Sequence, residues 1–129
     1  MIVTKAEYLE NKHFFLDIIL KGGIFIFPSD TIYGIGCLAT NAKAINKIRR
    51  LKNRKEQPFA IYAPTKAWIK QNTKLKQKSL DKLPGKYTFI TELKQLTFSK
   101  QVIPKTDKIG IRLPKHWIID LVKDLKQPI

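Results

Sequence analysis

The sequence predicts an α/β domain built on a twisted mixed sheet with flanking helices, and three observations lead there. Short apolar, β-prone runs at residues 24–27, 59–63, 87–90 and 109–113 alternate with stretches that keep helical spacing. No repeat and no low-complexity linker interrupts this alternation. A length of 129 residues supports one domain with a real core but not two, so residues 1–129 are read as a single domain.

Taken in order, Thr4-Lys5-Ala6-Glu7 fits a capping box, with Thr4 as N-cap and Glu7 reaching back to its amide. Ala6, Leu9, His13, Leu16 and Leu20 then keep one helical stripe, which makes His13 a packed histidine, and Gly22-Gly23 stop the helix. Residues 24–27 read as a buried strand that ends at Pro28 and delivers Ser29, Asp30 and Thr31 into a cleft. Gly34 and Gly36 let the backbone turn tightly or approach a ligand closely. A plain strand-to-helix connection is the simpler reading of the same residues.

Asn41 can cap a second helix with Ala44, Ile45, Ile48 and Leu51 inward and Lys43, Lys47 and Arg50 toward water. Lys52 to Pro58 form a basic connection that a proline ends, and residues 59–63 are a short strand. Pro64-Thr65 start a helix with Ala67, Trp68 and Ile69; the basic stretch to Lys82 has weak periodicity. Leu83-Pro84-Gly85 is a turn into a strand at residues 87–90, with Thr88 and Ile90 on one face. After a polar loop, the strand at residues 109–113 carries Arg112 between apolar neighbours. An arginine there is too costly to bury unpaired, so it must face water or an anion. A helix from Trp117 to Lys126 turns Ile118, Leu121, Val122 and Leu125 inward, and residues 127–129 read as the start of another strand.

Charge is the strongest compositional signal. The net charge is +15, and residues 43–82 hold thirteen Lys or Arg against Glu56 and Asp81. Such a field favours anionic partners, among them nucleotides, phosphates and RNA, although a lysine-solvated surface gives the same count. Lysine outnumbers arginine and few aromatics interleave, so sequence-specific RNA reading is not indicated. No apolar run is long enough to span a bilayer, and no signal peptide is visible, so a cytoplasmic location without membrane contact is the default expectation. Cys37 is the only cysteine, and His13 and His116 stand far apart without partners in sequence, so no metal-ligand cluster is expected.

Gly34-x-Gly36-x-x-Ala39 fits a loose dinucleotide-binding fingerprint, but six residues separate Phe27 from Gly34, whereas in that motif the glycine follows the strand closely. Neither a Gly-x-Ser-x-Gly elbow nor a Walker-type loop is present.

Four stretches remain, each on or after an apolar element: Pro28-Ser29-Asp30-Thr31-x-Tyr33-Gly34-x-Gly36, Lys52-x-Arg54, Leu83-Pro84-Gly85-x-x-Thr88 and Ile111-Arg112-x-Pro114. In this order they resemble the YrdC-like family (YrdC/YciO), the threonylcarbamoyl-AMP synthases. That family's pattern is Pro-Thr-(Asp/Glu)-Thr-x-Tyr-Gly-Leu-Gly, Lys-x-Arg, Pro-Gly-Pro-x-Thr, Val-Arg-x-Pro and finally Ser-x-Asn. The resemblance implies an open α/β sheet with a concave, basic face. It also implies synthesis of threonylcarbamoyl-AMP from L-threonine, bicarbonate or carbon dioxide, and ATP with Mg²⁺. Enzymes that transfer the threonylcarbamoyl group to tRNA would be its functional partners.

Carried over by resemblance, Lys52 and Arg54 are the catalytic cations and, with Arg112, bind ATP. Ser29, Thr31, Tyr33, Thr88 and Arg112 form the substrate-binding set. Without the resemblance, Lys52 and Arg54 also fit cations that complement a helix C-terminus. Ser29 stands where the family has threonine and keeps the hydroxyl; Lys86 replaces the second proline of Pro-Gly-Pro. The Ser-x-Asn strand is not reached before Ile129, so a C-terminally shortened domain with weakened turnover is expected, together with an exposed sheet edge that a second copy would cover. The alternative function is a non-catalytic relative that binds nucleotide, tRNA or double-stranded RNA.

Overall fold

Thr4 accepts a hydrogen bond from the Glu7 amide and opens α1 (Lys5–Glu10), as the capping box predicts. The computed structural model describes residues 4–129. The expected single helix is broken: Asn11 leaves helical geometry (φ −129°, ψ 40°), and α2 (Lys12–Leu20) starts afresh. The break rotates the apolar stripe. Tyr8, Phe15 and Ile19 are buried, Leu9 and Leu20 are at least half exposed, and His13 faces solvent rather than packing.

β1 (Phe25–Phe27) pairs antiparallel with β2 (Gly34–Gly36), with Phe25 opposite Gly36 and Phe27 opposite Gly34. Gly34 and Gly36 therefore lie in a strand rather than a turn. The reason is steric, because the Phe27 ring lies across them. A Cβ would stand 2.9 Å from that ring at Gly34 and 2.8 Å at Gly36, closer than carbon atoms can approach.

The Asn41 side chain accepts from the Ala44 amide at 3.0 Å and caps α3 (Ala42–Lys52), which ends where Asn53 turns left-handed (φ 53°). Ala44, Ile45 and Ile48 point inward as the spacing predicts. Arg49 takes the buried place expected of Leu51, which is 65 % exposed. β3 (Ala60–Tyr62) follows, then α4 (Lys66–Asn72) capped by Thr65, then α5 (Gln77–Leu80). β4 (Phe89–Glu92) starts later than residues 87–90 suggest, because its register is set by β5 (Lys108–Arg112), from Phe89 opposite Ile111 to Glu92 opposite Lys108. The polar stretch between them holds a 3-10 turn, Lys100–Val102, and α6 (Ile118–Leu125) closes the order.

The sheet is mixed, as predicted: order β3-β5-β4, with β3 parallel and β4 antiparallel to β5. Ile61, Ile109 and Ile111 bury one face of it and share a core with Ile69 of α4 and with Ile118, Leu121 and Val122 of α6. Each such side chain, fully buried, contributes about 1.5–3 kcal/mol. The opposite face carries Ala60, Gly110, Thr88 and Ile90 and is left open, with Ile90 73 % exposed. One tail ties the two sheets together. Ile129 exchanges both main-chain hydrogen bonds with Tyr62 (2.9 and 3.3 Å), and the Pro128 carbonyl accepts from the Ala39 amide (3.0 Å). The strand expected at residues 127–129 thus begins to pair along β3.

Candidate functional site

β1 ends at Phe27, before Pro28, and the chain needs six residues to return as β2, so residues 28–33 form a loop above the end of β5. Ser29 organises this loop from within. Its Oγ donates to the Ile32 carbonyl (2.6 Å), accepts from the Thr31 amide (3.2 Å) and lies 3.1 Å from Thr31 Oγ1. Thr31 and Tyr33 project outward, Tyr33 with 69 % exposure.

Asp30 turns the other way. Arg112, at the end of β5, donates through Nη2 to Asp30 Oδ1 at 2.8 Å and through Nη1 to the Tyr62 hydroxyl at 3.0 Å. Its guanidinium also lies 5.3 Å from the Tyr62 ring centroid. The two charged side chains keep only 12 % and 8 % of their exposure. Of the two surroundings expected for Arg112, water or an anion, the chain itself supplies the anion. Asp30 Oδ2 and Arg112 Nε have no partner; only a bidentate alignment, which the pair does not adopt here, would join them.

Two cavities adjoin at Phe59 and Ala60, and the first reaches this pair through Tyr62. A cleft of about 220 Å³ lies between the two sheets, with Phe27, Gly34 and Gly36 on one wall, residues 60–62 on the other, and Lys52 among its lining residues. A second, more open concavity of about 390 Å³ lies on the open face of the sheet, over Gly110, Thr88 and Ile90, with Lys105 and Lys108 also lining it. Phe59 and Ala60 line both. The floor is low because its residues are small: a Cβ on Gly110 would stand 3.3 Å from both Ala60 Cβ and Thr88 Cγ2.

The expected residues are not all brought together. Asp30 alone of the loop reaches Arg112, which reaches Tyr62, while Ser29 bonds within the loop and Thr31 and Tyr33 project outward; Lys52 borders the cleft that Tyr62 also lines; Thr88 belongs to the adjoining concavity. Arg54 is exposed and lines neither cavity, while its main chain is held by Arg49. Asp30 and Tyr62 are absent from the binding set that the resemblance carries over, although Asp30 belongs to the loop that the strand end delivers into the cleft. A signal for Asp30 exists, since it is the acid of the motif loop and Arg112 sits in an apolar strand where it must face water or an anion.

Burial sets the behaviour of two further groups nearby. It pushes the Cys37 thiol up to about 12 and lowers the Arg49 guanidinium below the usual arginine range. Among the described residues, no group of three or more His, Cys, Asp or Glu is placed to hold a metal ion, and no helix is long and apolar enough to cross a membrane.

Comparison with known proteins bears on the family and the fold. The Sua5/YciO/YrdC family model, described as "Telomere recombination", matches residues 17–129. The threonylcarbamoyl-AMP synthase of Homo sapiens is 30% identical over 113 residues, 84% of this chain and 40% of the human protein. A putative threonylcarbamoyl-AMP synthase of Methanocaldococcus jannaschii is 39% identical over 106 residues, 78% of this chain and 50% of the archaeal one. This chain thus spans half or less of the length of these relatives.

Among solved structures, a doubly substituted variant of P. abyssi Sua5 superposes with a TM-score of 0.83 at 20% identity, covering 99% of this chain and 39% of that one. The same protein complexed with L-threonine gives 0.76 at 21% identity, over 89% and 36%. At such identities the likeness establishes the fold. Joined to the family model's match over residues 17–129, it leaves one assignment: the chain belongs to the Sua5/YciO/YrdC family.

Proposed function

We propose that this protein binds L-threonine and ATP and takes part in the synthesis of threonylcarbamoyl-AMP, the product that supplies the threonylcarbamoyl group in tRNA modification. One observation carries the reading: three of the four motif-bearing segments converge. The loop 28–33 reaches Arg112 through Asp30, Arg112 reaches Tyr62, and Tyr62 lines the cleft that Lys52 borders. The names of the human and archaeal relatives, and the L-threonine bound to P. abyssi Sua5, support the substrate assignment.

The chemistry makes modest demands on side chains. The amine of threonine adds to carbon dioxide, forming an N–C bond and losing a proton, to give a carbamate. A carbamate oxygen then attacks the α-phosphorus of ATP; the bond from that phosphorus to the bridging oxygen breaks, and pyrophosphate leaves. Positioning and charge neutralisation account for most of such catalysis. Lys52 and Arg54 are assigned to the triphosphate, which arrives as its magnesium complex. Magnesium would come with the nucleotide and would supply charge neutralisation, with few protein donors required. The exposed hydroxyls of Thr31, Tyr33 and Thr88 are assigned to threonine and its carbamate. Arg112 is assigned to a substrate anion, which must compete with Asp30 for it.

A second reading has its own observation. Lys43, Lys47 and Arg50 are all exposed on α3, a helix without one acidic residue, and none of the three joins an ion pair among the described residues. An RNA backbone fits such a ridge. Calorimetric titration with L-threonine and Mg-ATP, singly and together, tests the first reading, which expects heat from both and tighter threonine binding in the presence of nucleotide. No heat from either ligand, with salt-dependent binding of an RNA duplex, would favour the second.

A further inference from the structure

Arg49 is 6 % exposed and meets no carboxylate. Its guanidinium donates five hydrogen bonds, all to main-chain carbonyls. Nη1 reaches Arg54 (3.2 Å) and Gln57 (2.7 Å). Nη2 reaches Gln101 (2.7 Å) and Val102 (3.1 Å), and Nε reaches Gln101 (3.1 Å). The planar group also lies 4.3 Å from the Phe59 ring centroid. A buried charge satisfied only by carbonyl dipoles is an expensive element, and a leucine would fill the inner face of a helix more simply.

What the fork holds explains its presence. Residues 53–59 join the end of α3 to β3, and the segment 53–57 within them contains Arg54 and directly follows Lys52. The Arg54 amide donates back to the Arg49 carbonyl at 2.9 Å, so the segment is tied to one residue through both its main chain and its side chain. Gln101 and Val102 belong to the 3-10 turn, which anchors the opposite side of the fork to the body of the domain. A lysine has three donors on one point charge and cannot span these four carbonyls. The fork's charge, left without a counter-ion, also adds to the field that an anion at Lys52 would feel.

We propose that Arg49 is a positioning residue for polyphosphate binding, holding the 53–57 segment so that Lys52 and Arg54 present their charges to one anion. This rests on the assignment of Lys52 and Arg54 to the triphosphate. Pre-organisation of this kind raises affinity by removing the ordering cost that a loose loop meets on binding.

The test is calorimetric titration of Mg-ATP, and separately of inorganic tripolyphosphate, into the full chain as wild type, Arg49→Lys and Arg49→Met. Titrations are run well below each variant's melting temperature. Both variants are expected to lose at least ten-fold in affinity for either anion, with L-threonine affinity unchanged and no rescue by lysine. A folded Arg49→Met or Arg49→Lys variant that binds as wild type does would make Arg49 a stabilising rivet only and overturn the inference. Loss in Arg49→Met with full rescue in Arg49→Lys would show that charge alone matters, and overturns it equally. Should Arg49→Met not fold, amide hydrogen exchange on the ligand-free wild type decides with Arg49→Lys: the Arg54 amide is expected to be protected before any anion is added. Exchange at the rate of an unstructured amide, slowed only by Mg-ATP, contradicts pre-organisation. Absence of anion binding by the wild type itself overturns the triphosphate assignment beneath the inference, an outcome distinct from variants that bind normally.

Discussion

Removing both members of the Asp30–Arg112 pair should destabilise the protein far less than the sum of removing each alone. The pair is close at 2.8 Å, and its side chains retain 8 % and 12 % exposure, so either charge alone is stranded away from water. Breaking a buried pair from one side typically costs about 3–5 kcal/mol. The loop 28–33 can open and readmit water to the survivor, which argues for the lower end, ~3 kcal/mol for Arg112→Met and similarly for Asp30→Ala. The double substitution leaves no stranded charge and should fall well short of the sum, giving a coupling of about 2–4 kcal/mol. Urea unfolding of the wild type, both single variants and the double variant measures the cycle; the midpoints should move while the denaturant slope stays constant. Additivity of the two single effects to within about 0.5 kcal/mol would refute the pairing and the place it gives the loop.

Two further perturbations follow from the site. Lys52→Ala and Arg54→Ala should each weaken nucleotide binding by about ten-fold or more, since a charge-assisted contact to phosphate is worth roughly 1.5–3 kcal/mol. Both side chains are exposed, so thermal melts should barely shift, and a collapse in melting temperature with affinity intact would mark them as structural cations. Burial raises the Cys37 thiol from 9.0 to about 12, so at pH 8 its reactive thiolate should be about 1,000-fold scarcer than in the unfolded chain. Iodoacetamide labelling of the native protein should be slower in proportion. Because this acid's pKa is raised in the folded state, its contribution to stability is complete below pH 9.0 and is lost as the pH climbs toward 12. Unfolding midpoints measured across that alkaline range check the sign.

The fold was legible wherever local pattern decides it. The alternation of apolar runs with helical stretches gave a mixed sheet with flanking helices, and the caps at Thr4, Asn41 and Thr65 lie where short polar side chains precede apolar periodicity. Arg112 could be read from strand context alone as facing water or an anion, and the structure gives it the anion Asp30. Long-range partners decided what stayed hidden. Nothing near Arg49 in sequence announces the carbonyls of Gln101 and Val102, so helical spacing alone favours Leu51 for burial. The break at Asn11 turns Tyr8 inward, where its hydroxyl donates to Asp124, more than a hundred residues away, and its ring stacks on Trp117. Gly34 and Gly36 read as turn residues because the ring that requires them, Phe27, lies across a strand pair that local sequence cannot reveal.

The central claim is that this chain joins threonine, carbon dioxide and ATP at one cleft. Pyrophosphate release, measured with L-threonine, bicarbonate and Mg-ATP together and with each omitted in turn, tests it most directly. The account predicts release that requires all three and falls to background when any one is left out. Release that continues without threonine, or no release under any condition from a folded protein that binds neither ligand, would contradict it.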